Sequence, residues 1–171
     1  IKSINLPLGE VKITRKVKAL DVIIRSCSSV NMLTQNKQRI FEKEKIDYTL
    51  RSINSILKSI KYAKNYHSKI DFKITIIDHN SNDENLKKID NLLKSSTLNF
   101  NLISLDLTEF ESQIKIINEK NEKVTPNQVS NMSNIYKSLN LSKTSSDLTY
   151  FVEDDYIHEI GGITEMLFAY E

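Results

Sequence analysis

Short apolar runs alternate with helical patterns along this chain, and each run ends in polar or charged residues. The clearest runs are residues 19–24, 72–77 and 148–152. Between them, apolar residues recur at spacings of three and four, as on one face of an amphipathic helix. This alternation is typical of β-α-β units. It therefore predicts an α/β domain with a mainly parallel central sheet.

The helical segments are defined by their apolar positions. These are Leu50, Ile53, Ile56, Leu57 and Ile60 in the first helix, Leu86, Ile89, Leu92 and Leu93 in the second, and Val129, Met132, Tyr136 and Leu139 in the third. Thr125 is expected to cap the third helix and Pro126 to begin it. Residues 99–107 are expected to add a strand, and residues 163–170 a short final helix. Residues 108–123 show no clear pattern.

The domain is expected to span residues 19–171, preceded by an extension at residues 1–18 that forms an edge strand or a hairpin. The 171 residues are 39% hydrophobic and 27% charged, which is a globular composition. The net charge is +2, and the lysines are scattered among acids, so no basic stripe indicates a nucleic-acid partner. The single cysteine, Cys27, fits a reducing compartment, and no apolar run is long enough to predict a transmembrane helix.

Three polar loops are expected to meet at one edge of the sheet. Right-handed crossovers place the carboxyl ends of parallel strands at the same edge, where open α/β sheets bind ligands. Loops that begin at Ser26, Asp78 and Glu153 all follow predicted strands. The sequence therefore predicts that the three loops line one crevice.

Glu153, Asp154 and Asp155 form an acidic cluster directly after the last strand. Adjacent carboxylates repel one another unless a cation or hydrogen-bond donors compensate their charge. Mg²⁺ or Mn²⁺ suits this role because both prefer oxygen ligands. Along extended backbone, Glu153 and Asp155 would lie on one side and Asp154 on the other. The alternative is an exposed acidic turn without a ligand.

The loop at residues 78–83 reads Asp-His-Asn-Ser-Asn-Asp. Asp78 is placed to accept a hydrogen bond from a base N–H. The alternative is a simple turn in which Asp83 caps the following helix. Neither His79 nor His158 has a partner at zinc-ligand spacing, so both are expected to be polar loop histidines.

Together these residues resemble an inverting glycosyltransferase of the GT-A fold, in the large family-two-like group. Residues 77–83 are similar to that family's Val-Asp-Asp-Gly-Ser-x-Asp, with His79 in place of the second acid and Asn80 in place of the glycine. Arg25 stands where the family has proline at the end of its first strand, and Cys27 where it has an aromatic residue. The similarity covers roughly residues 19–170. It implies a three-layer, Rossmann-like fold for nucleotide-diphospho-sugar transfer, truncated after the metal-binding motif.

The resemblance also implies roles for particular residues. The nucleotide-binding set is Ser26, Asp78, Ser81, Lys137, Glu153 and Asp154, with Asp78 at the base, Lys137 at the diphosphate and Glu153 at the ribose. Asp155 would bind the Mn²⁺ or Mg²⁺. The family's catalytic base lies well downstream of its metal motif. The catalytic residues are therefore expected beyond residue 171 and stay unassigned.

The function implied by the resemblance is transfer of a sugar from a nucleoside-diphosphate sugar, most commonly a UDP-sugar, to an acceptor hydroxyl. The acceptor would be a saccharide or lipid-linked saccharide. The protein would be located in the bacterial cytoplasm, including the inner face of the membrane. The alternative is a non-catalytic nucleotide- or partner-binding domain that kept the fold. A receiver domain, which residues 151–155 also resemble, needs a much longer segment after its acidic pair and is disfavoured.

Overall fold

The computed structural model describes residues 2–6, 9–13, 15–28, 44–117, 119 and 121–170. In chain order the elements are β1 (Lys2–Leu6), β2 (Gly9–Ile13), β3 (Ala19–Ser26), α1 (Lys45–Ala63), β4 (Asp71–Asp78), α2 (Asp83–Lys94), β5 (Asn99–Ser104), a short 3-10 helix (Leu107–Phe110), α3 (Pro126–Ser142), β6 (Leu148–Glu153) and α4 (Gly162–Tyr170). Strands and helices alternate from β3 onward, which agrees with the sequence pattern.

The central sheet has four strands in the order β5-β4-β3-β6, and all of them run parallel. Ser26 pairs with Asp78, and Arg25 pairs with Glu153, so three strands end at the same level. This confirms the predicted α/β class and parallel sheet, in a Rossmann-like arrangement. β1 and β2 form a separate antiparallel two-stranded sheet.

One face of the sheet packs against α1, α2 and α4. Inward side chains such as Ile24, Ile74 and Ile76 are fully buried there, against Ile53 and Ile56 of α1. The two central strands, β3 and β4, are rich in β-branched residues, as expected for strands that are covered on both faces. Among the described helices, none combines the length and the apolar content that crossing a membrane requires.

The opposite face of the sheet carries α3 and the 3-10 helix. A smaller apolar cluster forms there from Ile23, Ile77, Leu105 and Phe110. The molecule therefore has three layers, with helices on both sides of the sheet. Because the side chains of a strand alternate between the two faces, neighbouring residues at a strand end serve different layers.

The inward face of α3 differs from the one that its apolar residues predict. Met132, Tyr136 and Leu139 are 36%, 41% and 51% exposed, whereas Ser133, Asn134 and Ser138 are buried. Two of these side chains hydrogen-bond backbone: Asn134 Nδ2 donates to the Ile77 carbonyl at 3.0 Å, and Ser138 Oγ to the Asn134 carbonyl at 2.8 Å. Small polar residues thus provide the contact.

The ends of the elements follow local hydrogen bonds. Thr125 caps α3 in a capping box with Gln128, as predicted. α2 is capped by Asn82 rather than Asp83, because Asn82 Oδ1 accepts from the Asn85 N–H at 2.8 Å. The strand predicted over residues 99–107 ends at Ser104, where the 3-10 helix soon follows.

A carboxylate connects the amino ends of β3 and β6. Asp147, just before β6, accepts hydrogen bonds from the Arg15 guanidinium and, at 2.8 Å, from the Lys18 N–H. The Arg15 hydrogen bond, followed by that from Lys18, lowers the pKa of Asp147. The ionised form therefore stabilises the pairing of β6 with β3.

We predict that Asp147→Asn lowers the free energy of unfolding at pH 7 and that this loss disappears in acid. The pKa of Asp147 is lower in the folded than in the unfolded chain, where it is about 3.9. Its stabilisation is thus present above about pH 4 and is lost as the pH falls through the folded pKa. Urea unfolding of both proteins between about pH 2 and pH 7 measures this. Asp71→Asn is the control, and a wild-type advantage that is independent of pH would contradict the prediction.

Candidate functional site

A cleft of about 550 Å³ lies at the carboxyl edge of the sheet. It is lined by the ends of β3, β4 and β6, by the start of α1 and by one side of α3. The lining residues are Arg25, Ser26, Cys27, Lys45, His79, Asn80, Leu107, Pro126, Asn127, Val129, Ser130, Asn131, Asn134, Glu153, Asp154 and Asp155. The structure thus brings the three loops expected to converge to a single cleft.

Glu153 lies on the α3 side of the sheet, where it forms an ion pair with Arg25. Arg25 also donates from Nη1 to Asn131 Oδ1 on α3 at 2.8 Å. These contacts connect β6, β3 and α3 across the cleft floor. The Glu153 side chain is still 49% exposed, so part of its carboxylate faces solvent.

Asp154 lies on the opposite side, against α1, and is only 6% exposed. Its carboxylate accepts from Lys45 Nζ at 2.6 Å, from Thr49 Oγ1 at 2.9 Å and from the Cys27 N–H at 3.3 Å. Glu153 and Asp154 therefore point to opposite faces of the sheet, Glu153 towards α3 and Asp154 towards α1, as the alternation of side chains along a strand requires. The contacts of Asp154 hold the start of α1 and the first loop beside β6.

Asp155 differs from the other two acids. It is exposed and, within the described residues, has no ion pair or hydrogen bond. No group of three or more His, Cys, Asp or Glu side chains in the described ranges is arranged to hold a metal. A divalent ion here would take Asp155 as its protein ligand and complete its shell with phosphate and water oxygens. Mg²⁺ commonly binds in this way, so the donor set fits such an ion.

The Asp78 side chain supports the turn after β4. It is 3% exposed, and its two oxygens accept from the Ser81 N–H at 3.0 Å and from Ser81 Oγ at 2.6 Å. Ser81 Oγ in turn accepts from the Ser28 N–H at 2.9 Å, which connects the first and second loops. Neither Asp78 nor Ser81 lines the cleft, and their nucleotide contacts stay predictions.

Asn80 explains how this turn forms without the glycine that the resemblance would place there. Its φ is 65°, in the left-handed region. Asn adopts this conformation more readily than other side-chain-bearing residues because its short amide can hydrogen-bond locally. Asn80 and His79 consequently face the cleft while Asp78 stays beneath it.

The cationic side chains that line the cleft do not include Lys137, the one expected from the sequence. Lys137, the expected diphosphate ligand, pairs with Glu109 at 2.6 Å and lies 6.0 Å from the centre of the Phe110 ring, and it does not line the cleft. Arg25 and Lys45 line it instead. The sequence reading did not assign them a ligand role, because their pairing with the acids becomes visible only in the folded chain.

The polar side of α3 lines the cleft, which the apolar residues of the helix did not predict. Asn127, Ser130, Asn131 and Asn134 lie at helical spacing and all line the cleft. Ser130 Oγ and His79 Nδ1 are 2.8 Å apart, which connects α3 to the β4 loop. In the sequence this side is visible as Ser and Asn residues that recur at spacings of three and four.

The two histidines of the candidate loops lie in different surroundings. His79 is a cleft residue, whereas His158 packs against Tyr150, with its Nε2 2.9 Å from the Tyr150 hydroxyl. Burial lowers the pKa of His158 and raises that of Tyr150. The lowered pKa favours the neutral form of His158 at pH 7.

Comparison with protein-family models, with curated proteins and with solved structures found no match for this chain. The case for a function therefore depends on the geometry of the cleft and on the chemistry of its side chains.

We predict that Lys45→Met lowers the free energy of unfolding by about 3 kcal/mol, because it leaves the Asp154 carboxylate buried without its cation. Adding Asp154→Asn should recover at least half of this loss. Urea unfolding measures both. Lys94→Met is the control, since Lys94 pairs with Asp90 on an exposed helix surface and should cost under about 0.5 kcal/mol. Equal losses for the two lysine variants would contradict the prediction.

Proposed function

We propose that this chain is the nucleotide-sugar-binding part of a metal-dependent GT-A-type glycosyltransferase. The observation that carries the proposal is the different state of three neighbouring acids at one cleft. Glu153 is paired with Arg25, Asp154 is buried with Lys45, and Asp155 is exposed without a partner in the described structure. If the acids formed only a surface turn, nothing would explain why Asp155, within the described residues, lies unpaired at a cleft that also contains Arg25 and Lys45.

In this proposal Asp155 holds Mn²⁺ or Mg²⁺ together with the diphosphate of the donor. When bound, the ion acts as a Lewis acid that stabilises the charge developing on the leaving diphosphate. The cationic side chains of the cleft would neutralise the rest of the negative charge on the diphosphate. Arg25 has two guanidinium nitrogens in contacts, with Glu153 and Asn131, and further N–H groups for phosphate oxygens.

The nucleoside would bind along the ends of β3 and β6. Ser26 lines the cleft, and its hydroxyl has no partner within the described ranges, so it can donate to or accept from a ligand. The half-exposed carboxylate of Glu153 is suited to accept from ribose hydroxyls. Asp78 contributes indirectly, since its bonds to Ser81 shape the turn that presents His79 and Asn80.

Sugar transfer itself needs an acceptor hydroxyl and a base to deprotonate it. In the inverting reaction that we propose, the hydroxyl attacks the anomeric carbon from the face opposite the diphosphate. The acceptor is a saccharide or a lipid-linked saccharide. The base is not among the residues assigned to the cleft.

A non-catalytic nucleotide-binding domain is the second candidate, because two of the three acids are occupied by internal ion pairs. Such a domain would bind nucleotide without turnover. Incubation with UDP-sugars and assay of released UDP tests this candidate, because release of UDP by the chain would exclude a domain that only binds nucleotide.

We predict that Mn²⁺ raises the affinity of the protein for UDP by at least about tenfold, because the ion bridges the diphosphate and Asp155. Asp155→Asn should abolish this increase and leave the weak metal-free binding unchanged. Calorimetric titration of UDP and GDP, with and without Mn²⁺, measures both effects.

The matched control is Asp71→Asn, at the amino end of β4 and the opposite edge of the sheet. It should bind UDP and Mn²⁺ as the wild type does. If neither nucleotide shows metal-dependent binding to the wild-type protein, the proposal is wrong.

A further inference from the structure

Asn134 lines the cleft and carries a buried hydrogen-bond acceptor that has no partner in the described residues. The residue is 5% exposed, lies on the inward side of α3 and lines the cleft. Its Nδ2 donates to the Ile77 carbonyl at 3.0 Å. Its Oδ1 has no partner in the part of the chain that the structure describes.

The orientation of this amide follows from its one bond. Only the nitrogen of an Asn side chain donates, and the Ile77 carbonyl can only accept. Rotating the Asn134 amide by 180° would place its Oδ1 next to the Ile77 carbonyl oxygen, and neither atom can donate. The Oδ1 is therefore the free atom. Buried polar side-chain atoms nearly always have a partner, so one that lacks it calls for a ligand or an ordered water.

The surroundings hold Asn134 in place. On the same side of α3, Ser130 contacts His79, and Asn131 accepts from Arg25. These two contacts fix α3 against the ends of β4 and β3, on either side of the cleft. A buried acceptor on a fixed helix loses little conformational freedom when it binds a ligand, which favours specificity.

Asp78 differs from Asn134 in that it does not line the cleft and both of its oxygens already accept from Ser81. Ser26 Oγ is also buried without a partner in the described residues, but it can itself donate, whereas Asn134 Oδ1 can only accept. A ligand without a donor group would leave the Asn134 Oδ1 unpaired in the complex.

We infer that Asn134 determines specificity in this cleft by accepting a hydrogen bond from an N–H or O–H group of the ligand. The inference rests on the proposed function, because a uridine nucleotide carries such donors in the imide N–H of its base and in its ribose hydroxyls. The base imide and the ribose hydroxyls are both neutral donors. Either could donate to Asn134 Oδ1 while Asn134 Nδ2 keeps its bond to the Ile77 carbonyl.

The test couples a change in the protein to a change in the ligand. UDP, N3-methyl-UDP, 2′-deoxy-UDP and 3′-deoxy-UDP are titrated by calorimetry, with Mn²⁺, into wild-type protein and into Asn134→Ala. The analogue that lacks the relevant donor should bind about tenfold more weakly than UDP to the wild type, and equally well as UDP to the variant. Whichever analogue shows this pattern identifies the donor as base or ribose.

A purely structural role for Asn134 would weaken all four ligands alike, and that result would overturn the inference while leaving the proposed function intact. Failure of the wild type to bind UDP would overturn both. Asn140→Ala is the matched control on the same helix, since Asn140 contacts Lys143 and does not line the cleft. It should show the same analogue pattern as the wild type.

Asn134→Ala also leaves the Ile77 carbonyl without its side-chain donor, so thermal unfolding must first show that the variant folds. A second measurement needs no substitution. In wild-type protein labelled with ¹³C and ¹⁵N, UDP should shift the ¹³Cγ resonance of Asn134, and the analogue that lacks the donor should not. The same shift with all four ligands would contradict the inference.

Discussion

The parallel alignment of β3, β4 and β6 is the constraint on which the rest of the molecule depends. Because Arg25 is in register with Glu153, and Ser26 with Asp78, three loops leave the sheet at the same level. Parallel strands joined by helical crossovers leave a crevice at their carboxyl ends. The cleft is therefore a consequence of topology, and its side chains decide which ligand it can take.

Strand alternation divides the acidic cluster between the two layers of helices. Glu153 is directed to the α3 side, with Arg25, and Asp154 to the α1 side, with Lys45. Each ion pair thereby fastens a different layer to the end of β6. The Lys45–Asp154 pair is buried, so it contributes little net stability but is costly to break. Asp155 lies beyond both pairs and stays exposed.

The sequence predicted the sheet well and the wall of the cleft poorly, for physical reasons. Runs such as residues 72–77 allow little besides a buried strand, and topology then places their ends together. The inward face of α3 was predicted wrongly because Asn134 and Ser138 are buried and donate to backbone carbonyls, while Met132 remains exposed. Periodicity of apolar residues cannot show such a contact, because it assumes that burial follows hydrophobicity.

Pairing of charges was equally hidden from the sequence. Lys137 and Lys45 look alike as letters, but the fold places Lys137 beside Glu109 and Lys45 beside Asp154 at the cleft. The environment of Asp78 depends in the same way on Ser81 and on the left-handed backbone at Asn80. These details require the packing of loops that are distant along the chain.

The central claim is that Asp155 and a nucleoside diphosphate hold a divalent ion between them in this cleft. A crystal soaked with UDP and Mn²⁺, with diffraction data collected at the manganese absorption edge, tests it most directly. The account predicts one anomalous peak at coordination distance from an Asp155 oxygen and from both phosphates, with Glu153 and Asp154 outside the metal shell. A nucleotide bound elsewhere, or manganese held without Asp155, would contradict it.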